Sequence, residues 1–177
     1  MLRKILIAIV ILIAIPFIAA LFIKKDYAVE REITISRPKQ EVFDYIKHLK
    51  NQDNYSKWAK MDPDMKKSYR GTDATVGFVS AWESDKDDVG KGEQEITGIT
   101  DGERIDFELR FFVPFESTSP AYMTTQSVSD TETKVVWGFA GNMPYPMNLL
   151  IPLMNFEKVI GNDLATGLGN LKVELEK

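Results

Sequence analysis

Few residues in this chain are equipped for chemistry, and none are spaced as a catalytic or metal-binding set. There is one histidine, His48, beside Lys47 and close to Lys50, and there is no cysteine. Thiolate nucleophiles, disulfides and the common zinc sites are therefore excluded. Glu83, Asp85, Asp87 and Asp88 crowd a turn between two strand-like segments, but they lack the twelve-residue loop and closing glutamate of a calcium site. Glu95 and Glu157 are the carboxylates that could act as acids inside an apolar cavity. No Ser-His-Asp set can be assembled. Gly90 and Gly92 precede a strand rather than a helix, so they do not form a phosphate-cradling loop. The expectation is no catalytic residue, no metal ligand and no cofactor.

The alternative is binding chemistry, for which the chain is well supplied. Ile105, Phe107, Leu109 and Phe111 alternate with Asp106, Glu108 and Arg110. Val135, Trp137 and Phe139 share a face, and Phe78, Ser80 and Trp82 share another. This is the pattern of an antiparallel sheet with one face packed and one wet. Tyr122, Thr124 and Gln126 share strand parity, as do Gln94 and Ile96. Ser80, Gln94 and Gln126 are therefore candidates to fix the polar end of a ligand among apolar neighbours. A shift of one residue in any strand would invert these assignments.

The elements that must position these groups are legible in outline. Val29–Ile35 alternates as a first strand. Ser36 is a suitable N-cap for a helix carrying Val42, Phe43, Ile46 and Leu49, and a second short helix runs around Asn51–Trp58. Strands are expected near Ser68–Arg70, Val76–Trp82, Gly92–Thr100, Arg104–Val113, Tyr122–Ser129 and Lys134–Gly141, with a tight hairpin at Thr100–Arg104 that has Asp101-Gly102 as its central residues. From Pro152 onward, Phe156, Ile160, Leu164, Leu168, Leu171 and Leu175 form one stripe along a helix of about 24 residues. Gly161, Gly167 and Gly169 in that helix allow close approach to the sheet or room for a ligand. Met143, Met147 and Met154 gather at its entrance, where adaptable side chains suit varied apolar shapes. A gap between this helix and the Pro144–Pro152 loop is the expected way in.

Ile5–Ile23 runs without a charged side chain, between Arg3-Lys4 and Lys24-Lys25. As a helix it would be roughly 28 Å long, close to the ~30 Å hydrocarbon core of a bilayer. The competing reading is a cleaved signal, for which the Phe17–Ala20 stretch offers poor small-residue pairing. The expected organisation is an anchor over 1–25 and one domain over 26–177. That gives a single-pass protein of the bacterial inner membrane. Balanced basic flanks leave the side undecided by charge, and the short basic start inclines it to the extracytoplasmic face. All four basic residues of the first 25 flank the anchor. This leaves 18 Lys and Arg against 26 Asp and Glu in the remainder, a formal charge of −8. Such a surface argues against nucleic acid or anionic lipid headgroups as the main partner.

The order strand, two helices, about six strands, long helix is α+β, and here the chain resembles the START and Bet v 1 helix-grip superfamily, in its SRPBCC or polyketide cyclase-like branch. The carriers are "VEREITISRPKQEVFDYI", "NYSKWAKMDPDM", "GTDATVGFVSAW", "VGKGEQEITGI", "IDFELRFFVPF" and "GLGNLKVELE". The resemblance implies a curved antiparallel sheet of six to seven strands wrapped around the C-terminal helix, with a cavity between them. Members include lipid carriers, hydrophobic-ligand sensors, cyclases and chaperone regulators, so the fold does not settle activity. The candidate cavity residues are Trp58, Phe78, Ser80, Trp82, Gln94, Phe107, Leu109, Phe111, Tyr122, Gln126, Trp137, Phe139, Met143, Met147, Phe156, Ile160 and Leu164. The expected function is a membrane-anchored binder of a hydrophobic small molecule or lipid, with a cyclase- or hydrolase-like enzyme as the alternative. No protein partner is indicated.

Overall fold

The computed structural model describes residues 2–177. An apolar helix, α1 (Leu2–Ala20), leads into β1 (Asp26–Ile35), then the short helices α2 (Lys39–Ile46), α3 (Gln52–Tyr55) and α4 (Lys57–Met61). Six strands follow: β2 (Lys66–Arg70), β3 (Val79–Glu83), β4 (Lys91–Thr100), β5 (Arg104–Val113), β6 (Ser117–Ser129) and β7 (Glu132–Asn142). α5 (Leu150–Met154) and α6 (Phe156–Leu175) close the chain. The strands form one antiparallel sheet in the order β1-β7-β6-β5-β4-β3-β2. This is the helix-grip arrangement, with α6 laid across the sheet's apolar face.

The inner face of the sheet is built by alternation. Val29, Ile96, Ile105, Phe107, Met123, Val135 and Trp137 meet Leu164, Leu168 and Leu171 of α6 and Phe43, Ile46 and Tyr55 of the short helices in one buried core. Gly167 lets α6 come close: a Cβ there would stand 2.7 Å from the Trp137 ring. Arg31 also points inward. It donates to Glu157 Oε1 at 2.6 Å and passes where a Gly161 side chain would otherwise lie.

Several expected boundaries move. Ser36 does not cap α2, whose N-cap position is Pro38 with no side-chain hydrogen bond. The Ser36 N–H instead donates to Glu176 Oε1, tying the end of β1 to the end of α6. The long C-terminal helix is two helices. Asn155 takes a left-handed conformation (φ 47°) between them, and its side chain accepts from Lys158 N to cap α6. Asn is among the few residues that tolerate this backbone, so the apolar stripe continues while the helix breaks. β6 begins at Ser117 and contains Pro120. The β7 ladder starts only at Ala121, so the proline is paired on one side alone. The β4–β5 hairpin keeps its expected bounds, Thr100 to Arg104, with Asp101-Gly102 central and Glu103 N donating to Thr100 O at 2.9 Å. Val76 stands outside β3, 61% exposed, rather than on its inner face.

α1 is long and apolar enough to cross a membrane and stands clear of the rest, with only Ala20 buried. It ends three residues before the apolar run does. Asn148, fully buried, donates through Nδ2 to Ala20 O at 2.7 Å and Ile23 O at 2.9 Å, satisfying carbonyls that the helix end leaves free.

The two α6 glycines differ in a way that can be measured. Gly169 faces open space, so Gly169→Ala should stabilise the protein by up to about 1 kcal/mol through helix propensity. Gly167→Ala should destabilise it by about 1–3 kcal/mol, because the methyl group meets a buried ring. Denaturant unfolding of the full chain in detergent would check the opposite signs.

Candidate ligand cavity

Along most of its length α6 lies against the sheet, but near its N-terminal half a cavity of about 340 Å3 remains between helix, sheet and the α3–α4 arch. Ligand pockets commonly run from about 300 to 1,000 Å3. The sheet supplies Ser80, Ala81 and Trp82 from β3, Gln94 from β4, Leu109 and Phe111 from β5, Ala121 from β6, and Trp137 and Phe139 from β7. Ile160 and Leu164 of α6 line it, and Gln52, Ser56, Trp58 and Ala59 cover it. The chain has three tryptophans, and all three line this space.

Cross-strand register brings these side chains together. Ser80 pairs with Gln94, Gln94 with Leu109, and Leu109 with Ser119, a row running across four strands on one face. The next row pairs Trp82 with Gly92 and Gly92 with Phe111. Gly92 is required there, since a Cβ would stand 2.6 Å from both the Trp82 ring and Arg110 O. The Trp82 indole therefore lies over the strand, with Nε1 donating to Val89 O at 3.2 Å. Edge-to-face contacts link Trp82 to Phe111 (6.0 Å), Phe111 to Phe139 (6.5 Å) and Trp58 to Trp137 (6.3 Å), an arrangement that holds aromatic walls at fixed angles.

The polar groups among these walls are mostly neutral. Gln94 is 8% exposed and Ser56 6%. The Gln52 amide nitrogen is buried with no hydrogen-bond partner, an orphan donor beside an apolar space. Charged side chains sit toward the edge: Asp53 is paired with Lys67 at 2.8 Å, and Asp87 and Asp88 are exposed on the β3–β4 hairpin. Next to Asp53, burial and that carboxylate push the Tyr69 hydroxyl up to about 12. Tyr55, directly behind Trp137, is fully buried, and desolvation raises its hydroxyl well above the ordinary range.

Of the residues singled out from sequence, Trp58, Ser80, Trp82, Gln94, Leu109, Phe111, Trp137, Phe139, Ile160 and Leu164 lie in the lining. The others lie elsewhere. Phe107 points inward but is sealed in the core, 2% exposed. Phe78 precedes β3 and stacks on Tyr69 at 6.1 Å. Tyr122 and Gln126 are on the outer face, because Ala121, Met123 and Thr125 take the inner positions of β6. The Tyr122 ring covers Gly138 and carries the Arg104 guanidinium at 4.0 Å. Phe156 stacks on Tyr27 at 5.1 Å. Met143 donates its backbone N–H to Lys25 O, and Met147 is 49% exposed; neither reaches the cavity.

The expected entrance is also displaced. No residue of 144–152 lines the space. It meets solvent between the exposed Asp87 and Asp88, Val89, and the Val113-Pro114 corner of β5. Gln52, Ser56, Ala59 and Ala121 were missed from sequence. Small or polar residues on short helices carry no periodic signal, though their neighbour Trp58 pointed to the segment.

The carboxylates considered for acid chemistry are outside. Glu95 is on the outer face, where Arg110 spans Glu93, Glu95 and Glu108 at 2.7, 2.7 and 2.5 Å. Arg70 and Arg110 hold the Glu93 carboxyl below the usual carboxylate range. Glu157 is 67% exposed against Arg31. His48 lies at the end of α2, 3.4 Å from Asp73 and 47% exposed, away from the cavity.

Residues 27–176 match the family model described as "Polyketide cyclase / dehydrase and lipid transport". No curated protein matches the chain. Among solved structures, a protein of Mesorhizobium loti superposes with a TM-score of 0.60 at 14% identity, over 85% of this chain and 97% of that one. The Aha1 dimer of Colwellia psychrerythraea gives 0.58 at 14% identity, over 85% and 96%. A protein of Thermus thermophilus gives 0.57 at 16% identity, over 84% and 97%. At these identities the likeness is one of fold.

Two substitutions test the electrostatics. Gln52→Leu should raise stability by about 1 kcal/mol, since it removes a buried amide nitrogen that has no hydrogen-bond partner. Thermal unfolding of the purified full chain would measure it. Arg110→Gln should cost about 1 kcal/mol at neutral pH by removing the cation shared by Glu93, Glu95 and Glu108, of which Glu93 keeps Arg70 at 2.8 Å. Glu93 is held below its ordinary range, so the stability it contributes is present above that range and lost as pH falls through it. The gap between wild type and Arg110→Gln should therefore be widest near neutral pH and narrow on acidification, which denaturant titrations at a series of pH values would follow.

Proposed function

The chain belongs to the polyketide cyclase, dehydrase and lipid transport family, and we propose that within it this protein is a membrane-tethered binder of an uncharged, largely apolar molecule. Residues 1–25 serve as a retained anchor and residues 26–177 as the binding domain. The observation that carries the reading is the cavity itself: a space with aromatic walls and neutral polar groups inside. Lys67, the cation in the lining, is held by Asp53 at 2.8 Å, so a charged headgroup or a free carboxylate would find no free counter-ion. A ligand with a carbonyl or ether oxygen would instead meet the neutral donors Ser80 and Gln94 on the wall. Burying a few hundred Å2 of apolar ligand surface at about 25 cal/mol per Å2 yields several kcal/mol, enough for retention.

The register supports delivery from the bilayer. Asp26 pairs with Asn142, so β1 begins at the end of the sheet where β7 finishes, β5 reaches Val113 and β4 starts at Lys91. The mouth of the cavity and the exit of α1 thus share one end of the molecule. A cyclase-like activity in the same cavity is the second reading. It would rest on cavity shape and the neutral donors Gln52, Gln94 and Ser80, since neither Glu95 nor Glu157 lies inside.

The three lining tryptophans make occupancy measurable. Energy transfer from tryptophan to the neutral probe N-phenyl-1-naphthylamine should saturate in the full chain held in nanodiscs. Ala121→Phe, which fills the floor between Phe107 and Phe139, should weaken the saturable part at least about tenfold, the equivalent of 1.4 kcal/mol, while leaving the circular dichroism unchanged. Equal, non-saturating transfer in both proteins would sink the proposal.

A further inference from the structure

Beyond α1, exposed apolar side chains are distributed unevenly over the surface. Phe112 and Val113 end β5 and Phe115 lies in the β5–β6 connection, while Tyr145, Leu153 and Met154 lie between β7 and α6. Phe115 and Leu153 are 77% and 76% exposed. The register of β4 against β5 shifts between Lys91 and Gly92, opposite Val113 and Phe111, so Phe112 is left unpaired in a bulge at the strand end. Both segments belong to the end of the sheet from which α1 leaves. There the connection Leu21–Lys25 adds Phe22, 85% exposed. Five extended residues reach at most about 17 Å, so this end cannot stand far from the terminus of α1. The 3-10 turn Met147–Leu149 shortens the distance further, because Asn148 is bonded to Ala20 and Ile23.

We propose that this apolar rim inserts into the interfacial layer of the bilayer that α1 crosses, seating the mouth of the cavity against lipid. The inference rests on the reading of α1 as a retained span. The occupant is a lipid surface because the rim continues a helix whose own apolar surface has no protein cover, and because Val113 belongs to both rim and mouth. The contact is apolar rather than electrostatic. Asp85, Asp87 and Asp88 sit on the adjoining hairpin and the part beyond the anchor carries a net negative charge, so neutral phosphatidylcholine is sufficient and anionic lipid adds nothing.

The absence of cysteine makes single-site labelling direct. Nitroxide labels on Phe115→Cys, Leu153→Cys, Ile11→Cys and Val128→Cys, each in the full chain reconstituted in phosphatidylcholine vesicles, would be read by their accessibility to oxygen and to a water-soluble nickel chelate. Val128 lies at the opposite end of the sheet and is 57% exposed, so it serves as the aqueous reference. The expected result is an oxygen-to-nickel ratio at 115 and 153 several-fold above that at 128 and approaching that at 11. Labels at 115 and 153 as water-accessible as 128, with 11 still in lipid, would overturn the docking while leaving the anchor intact. Protection from both reagents with spin–spin broadening would overturn it in favour of a second copy covering the rim. An intact mass lacking α1 would remove the anchor reading, and the docking with it.

Discussion

The contact between Trp137 and Gly167 governs much of the architecture. The indole lies on the inner face of β7, and the helix passes so close that no side chain larger than hydrogen fits between them. Below this point Leu168 and Leu171 are fully packed into the core. Toward the N-terminus of α6, Gly161 and Phe156 keep the helix on β1 through Arg31 and Tyr27, while Ile160 and Leu164 also border the cavity. The close approaches at Gly161 and Gly167 fix the helix over β1 and β7, and the cavity lies beside it over β3 to β6. Arg31 reinforces this placement from β1, passing Gly161 to reach Glu157.

The interior that results is selective by omission. Its aromatic rings offer area at fixed angles, and its polar groups are amides and hydroxyls rather than charges. Desolvating an ion there would be costly without a partner. The charged residues are instead spent on the outer face, where Arg110 bridges three glutamates, and at the edge, where Asp53 meets Lys67. Chemistry and solubility are thus kept on opposite sides of one sheet.

Some of this was legible in the chain and some was not. β5 and β7 alternate without interruption, so Leu109, Phe111, Trp137 and Phe139 could be placed on the inner face from periodicity. β6 could not: Tyr122, Thr124 and Gln126 look as suitable for the interior as Ala121, Met123 and Thr125. What reverses them is Gly138 on the neighbouring strand, whose bare backbone gives the Tyr122 ring its resting place on the outside. The stripe of α6 was readable through Asn155, but the break was not, because an αL residue interrupts hydrogen bonding without interrupting the spacing of apolar positions.

Taken alone, the sequence determined the element types and their order, the apolar N-terminal run, the inward faces of the evenly alternating strands and the lack of a thiol or histidine cluster for metal or nucleophilic chemistry. Each of these depends on local periodicity or on composition, which need no partner segment. Only the tertiary structure decided which inward residues line a space and which are sealed, as Phe107 and Phe111 illustrate two turns of the pleat apart. It also decided where the mouth lies and that α1 leaves from the same end. Those outcomes depend on register between strands distant in the chain and on how closely one helix can approach a ring, and pairwise distances of that kind leave no periodic trace in the sequence.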